Sequence, residues 1–128
     1  MADLLTSNIE IKIGDTKEWE FAVTSTNNRT GVVSVMNISA GTFRFIAKAN
    51  YTDADNAAII TKTSSTGITV VDGAGGIGKL KLSPSDTSGL TNQPAYLHYD
   101  LQMALSSETY TIAVGILKLI EQFAITTP

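Results

Sequence analysis

Apolar and polar residues alternate with a period of two through much of this chain. In "NIEIKI", Ile9, Ile11 and Ile13 are separated by Glu10 and Lys12, the pattern of a strand with one buried face and one wet face. "KEWEFAV" repeats it, with Trp19, Phe21 and Val23 inward and Glu18 and Glu20 outward. "TFRFIAKA" repeats it again through Phe43, Phe45 and Ala47, and these two strands read as neighbours in one sheet. Between them "TSTNNRTG" is turn-rich, and "VVSVMNISAG" adds a short strand around Val32 to Met36 that Gly41 breaks.

Farther on, "AIITK" and "GITVV" are β-branched runs parted by "TSSTG", and "YLHYDLQM" and "ETYTIAVGIL" flank the turn-like "ALSS". Both pairs read as hairpins. The closing "KLIEQFAI" has helical spacing in Leu119, Ile120 and Phe123, but Ile112 to Ile125 reads equally well as two strands turning near Gly115 to Lys118, and we favour strands. About eight short strands, with turn signals every ~8–12 residues and no long amphipathic helix, predict an all-β, immunoglobulin-like antiparallel β-sandwich.

The stretch "VVDGAGGIGKLKL" tests that expectation. Gly73, Gly75 and Gly78 fit the G-x-G-x-x-G of dinucleotide folds, and Gly73 with Gly78-Lys79 fits all but the last position of a P-loop. Either site needs a helix whose N-terminal amides meet the phosphate. Here Lys79 and Lys81 alternate with Leu80 and Leu82, and Leu80 stands where a P-loop places its magnesium-binding hydroxyl. The glycines therefore predict a turn between a strand ending at Val71 and one beginning near Ile77. In "LSPSDTSGL", Ser83 and Asp86 fit a capping box with Pro84 at the first helical position, which predicts one helical turn. The following strand carries Tyr96 and Tyr99, either of which suits a tyrosine corner, its hydroxyl bonding back to upstream main chain; ordinary strand tyrosines are the alternative.

Composition narrows the function classes. A chain of 128 residues with 43% hydrophobic and 16% charged positions has the material for one core, so we expect a single domain over 1–128 with short arms at 1–7 and about 122–128. Acidic residues number 12 against 9 basic ones, a net charge of -3 that offers no positive field to nucleic acid. The absence of cysteine removes disulfides, thiolate zinc sites and cysteine nucleophiles together. "MADLLTSN" lacks the basic start and apolar stretch of a signal peptide, so Met1 is expected to begin the working protein and nothing in this stretch directs export. The longest apolar run, Thr111 to Ile125, is interrupted by Lys118, Glu121 and Gln122 and falls short of the ~20 residues of a membrane span.

No catalytic constellation emerges. His98 is the single histidine; it shares a strand face with Asp100, but no G-x-S-x-G nucleophile elbow accompanies them. One histidine and no cysteine leave zinc short of ligands. "YTDADNAA" gathers Asp53, Asp55 and Asn56, the oxygen ligands calcium prefers, yet Ala57 and Ala58 occupy positions where an EF-hand loop needs a further ligand and a glycine. We assign no catalytic residue, cofactor or metal.

Over most of its length the chain resembles the small β-sandwich of tailed-phage and prophage proteins, and is similar to the N-terminal domain of phage upper baseplate proteins. The likeness lies in an order of features: a Gly-Asp-Thr start (Gly14 to Thr16), an aromatic strand, an "ITK…GI" hairpin, a glycine-rich turn, "L…DT", and the "YLHYDLQ" strand. The resemblance implies a virion structural protein without catalysis, an adaptor or accessory piece of the tail or baseplate. It would bind other virion proteins and form a homo-oligomer, with neither nucleic acid nor membrane as partner. Leu4 and Leu5 in the N-terminal arm, and Phe123 and Ile125 in the C-terminal one, are the expected docking anchors. A capsid decoration protein of the same fold and a carbohydrate-binding module using Trp19, Tyr51, Tyr96 and Tyr110 are the alternatives.

Overall fold

A computed structural model describes residues 4–50, 52–54, 57–90 and 96–120. Within them lie β1 (Leu5–Thr6), β2 (Ile9–Lys12), β3 (Lys17–Ala22), β4 (Thr24–Thr26), β5 (Val33–Val35), β6 (Thr42–Lys48), β7 (Ile60–Thr63), β8 (Ile68–Asp72), β9 (Ile77–Leu82), a single helical turn α1 (Pro84–Thr87), β10 (Tyr96–Leu105) and β11 (Glu108–Ile120). The protein is mostly β, as the alternation requires. Its large sheet runs β1-β11-β10-β6-β7, with β2 also on β11; a second sheet runs β3-β9-β8, and β4-β5 form a separate two-stranded ribbon.

Both sheets feed one apolar core. Phe45, Ala47, Leu97, Leu101, Ile112 and Leu117 come from the large sheet, and Leu80 and Leu82 from the small one. The rings of Phe21 on β3 and Phe43 on β6 meet across the core at 5.4 Å. That contact corrects the expectation that these two strands are sheet neighbours: β3 pairs with β9, and β6 with β10 and β7. Alternation shows which face of a strand is buried, and two strands facing each other across a core carry the same pattern as two lying side by side.

Three further expectations are corrected. β7 and β8 do not form a hairpin, because β7 pairs with β6 and β8 with β9, so "TSSTG" carries the chain between sheets. The last apolar run does not turn near Gly115; β11 continues unbroken to Ile120. There a Cβ would lie 1.8 Å from Ser7 O, so glycine lets the N-terminal strand cross close over β11. Finally, the large sheet is mixed, since β1 and β2 both run parallel to β11.

The glycine-rich turn and the capping box stand as read. β8 and β9 pair antiparallel, with Asp72 opposite Ile77, and Gly75 N donates to Asp72 Oδ1 at 3.0 Å. Gly76 adopts φ 70°. A Cβ on Gly78 would meet Phe21 Cζ at 2.4 Å, so close packing accounts for that glycine without any phosphate. At α1, Ser83 N donates to Asp86 Oδ2 at 2.7 Å, and the other carboxylate oxygen takes Lys62 Nζ at 2.8 Å. Thr87, fully buried, accepts Gly14 N at 2.8 Å and so ties the Gly-Asp-Thr start to the helical turn.

Candidate interaction surfaces

His98 and Asp100 share the outer face of β10, opposite Lys48 and Ile46 on β6. They border a shallow depression of ≈ 410 Å³ whose remaining wall includes Thr6, Asn8 and Ile116. No serine or cysteine nucleophile lines it. Among the described residues no group of three or more His, Cys, Asp or Glu side chains is placed to hold a metal ion. Of the acidic loop, Asp53 accepts Asn50 N at 3.1 Å through Oδ2, an ordinary turn bond; Asp55 and Asn56 lie outside the described residues. No described helix is long and apolar enough to cross a membrane.

The aromatic residues do not assemble into a sugar-stacking platform. Trp19 sits half-buried on the small sheet with Lys17 Nζ 5.8 Å from its ring. Tyr96 opens β10 opposite Lys118, whereas Tyr110 lies opposite Met103 toward the other end of the same pair of strands, about 23 Å away at the usual strand rise. Tyr51 is outside the described residues. Of the two tyrosine-corner candidates, Tyr99 does bond back to upstream main chain, its hydroxyl donating to Ser7 O at 2.6 Å, but that oxygen lies 92 positions away beside the N-terminal strand rather than in the adjoining connection. Burial raises its pKa above the ordinary tyrosine value.

Of the expected docking anchors, Leu4 and Leu5 are exposed at 56% and 41%, and Leu5 belongs to β1 at the edge of the large sheet. Phe123 and Ile125 lie outside the described residues. A more conspicuous apolar surface is the β4-β5 ribbon. Thr24 pairs with Val35 and Thr26 with Val33. Its tip is closed by Asn27 N donating to Val32 O at 2.9 Å and Gly31 N donating to Asn27 O at 2.7 Å, with Gly31 at φ 74°. Its base is held by Met36 N on Val23 O at 3.0 Å, and Val23 is fully buried. Between tip and base, Val32, Val33 and Val35 are 57%, 61% and 58% exposed. Sequence reasoning found the strand and missed its exposure, because the Val33-Ser34-Val35 alternation reads as one buried face whether or not the protein itself covers it.

A second apolar feature is a cleft of ≈ 210 Å³ between the two sheets, lined chiefly by Leu5, Ile9, Trp19, Phe21, Leu80 and Leu101. It opens beside β3, which is an edge strand: its one described partner is β9. Val23 N donates to Gly76 O at 2.8 Å. By the two-residue period of an antiparallel ladder, Glu18, Glu20 and Ala22 therefore turn their main-chain groups away from β9. Compared with known proteins, the chain matches no family model and no curated sequence.

Proposed function

We propose that this protein is a non-enzymatic structural component of a tailed-phage virion, an adaptor or accessory piece of the tail or baseplate that works through contacts with other virion proteins and with copies of itself. The observation that carries the reading is the β4-β5 ribbon. A lone two-stranded ribbon is marginal in water, and this one keeps three valines more than half exposed. Covering them in an interface would contribute about 3–5 kcal/mol at the usual worth of a buried valine. The arrangement suits assembly better than turnover.

Strand order supports the immunoglobulin-like part of the proposal. The three strands β3-β9-β8 and the row β2-β11-β10-β6-β7 correspond to the B-E-D and G-F-C-C′ sheets of that fold, with the first strand beside the last. Eight strands make up this frame, and β1, β4 and β5 are additions to it. Immunogold labelling of virions with an antibody to this chain tests the function. Label at the tail end is the expected result, label on the head identifies a capsid decoration protein instead, and virions free of the chain by mass spectrometry overturn the reading.

A further inference from the structure

The exposed ribbon and the open edge beside the cleft offer each other free strand edges, apolar side chains and opposite charge. Residues 23–36 of the ribbon contain no acidic side chain and one basic one, exposed Arg29 at the tip. The free edge of β3 presents Glu18 and Glu20, both exposed, and Glu20 also borders the cleft. β5 has an unused edge of its own, since β4 is its one described partner. We propose that the ribbon of one copy docks on β3 of a second copy, so that β5 extends the three-stranded sheet parallel to β3 and Val33 and Val35 close the cleft over Trp19 and Phe21. This rests on the assembly reading above and names the partner and the surfaces.

The alternation supports that fit. With β5 added parallel to β3, Val33 and Val35, whose main-chain groups face away from β4, stand beside Trp19 and Phe21 on the cleft face, while Ser34 falls on the wet face with the glutamates; an antiparallel addition would set the valines opposite Glu18 and Glu20 instead. A symmetric β3-to-β3 pairing would set Glu18 and Glu20 against their own copies, a like-charge contact that destabilises cross-strand pairs. The acid-free ribbon avoids it. Nor does the ribbon serve its own cleft: it is rooted at Val23, just past the end of β3, and among the cleft's lining residues none comes from residues 24–36. A donor and an acceptor on different surfaces make a heterologous contact, which propagates into a ring or a filament.

Sedimentation with two complementary variants tests this. Val33→Asp with Val35→Asp disables the ribbon at exposed positions. Glu20→Pro blocks the edge at a residue whose N–H faces away from β9, where proline is tolerated; it also carries Trp19→Phe, so that the chain's single tryptophan reports the intact cleft of the other variant. The wild-type protein is expected to sediment as a species larger than a dimer, and each variant as a monomer. Mixed in equal amounts they should form a dimer and nothing larger, with Trp19 emission shifted to the blue; restored binding also shows that both variants fold. Variants that keep wild-type sedimentation, a mixture that stays monomeric, or a Trp19 signal that moves on removing residues 121–128 and not on mixing would overturn the proposal. A wild-type monomer that still labels virion tails would remove this interface and leave the virion reading standing.

Discussion

Tyr99 lies opposite Gly115 in the β10-β11 ladder, and its hydroxyl reaches past that glycine to Ser7 O. One phenol thus fastens the N-terminal strand to the centre of the large sheet. Burial favours its neutral form, so its pKa in the folded protein lies above the unfolded value. The associated stability is complete below the ordinary tyrosine pKa of about 10 and is lost as pH rises from there through the raised folded value. Tyr99→Phe should cost about 1 kcal/mol at neutral pH through the lost hydrogen bond. It should also flatten the alkaline fall in stability, which melting curves of both proteins from neutral to strongly alkaline pH will show. Thr87→Val keeps the shape of a buried residue and removes the acceptor of Gly14 N. A loss of about 1–3 kcal/mol in urea denaturation is expected, the cost of stranding that donor.

Two hairpins show how local chemistry sets an element and where it stops. In the β10-β11 turn, Ser106 and Ser107 hold φ 52° and 67°, values natural to an Asn-Gly pair and unfavourable for serine. The double substitution Ser106→Asn with Ser107→Gly should therefore stabilise the protein by about 1 kcal/mol, measurable as a raised melting temperature. In the β8-β9 hairpin the glycines answer to packing. Gly78→Ala would drive a methyl group into the Phe21 ring and should cost about 1–3 kcal/mol in denaturant unfolding. Gly115 looked like a turn signal in sequence for the same reason that Gly78 looked like a phosphate loop: a glycine records that something comes close, and only the fold names what.

Across the whole molecule, the core and the ribbon are separable. Val23 and Ile38, at the ribbon's base, are fully buried, whereas β5 is exposed throughout. Replacing residues 25–34 with a short Asn-Gly turn should leave a cooperative thermal transition by circular dichroism while abolishing self-association in sedimentation. The candidate surfaces were only partly legible beforehand. Leu4 and Leu5 stand out in the sequence as the apolar residues of the N-terminal arm, a local cue. The cleft was not, because it joins Leu5 and Ile9 to Trp19, Phe21 and Leu80 from three separate stretches.

From the sequence alone came the positions of β2, β3 and β5 to β10, the glycine turn at Gly73 to Gly76, the helical turn capped by Ser83 and Asp86, and the lack of a helix after the glycines that any nucleotide site would need. These follow from backbone preferences and side-chain periodicity, which act over a few residues. Tertiary structure alone decided that β3 and β6 face each other across the core, that β7 and β8 belong to different sheets, that β1 and β2 run parallel to β11, and that the valines of β5 stay in water. Pairing partners and exposure depend on contacts between residues far apart in the chain, and a period of two is the same whichever strand lies alongside.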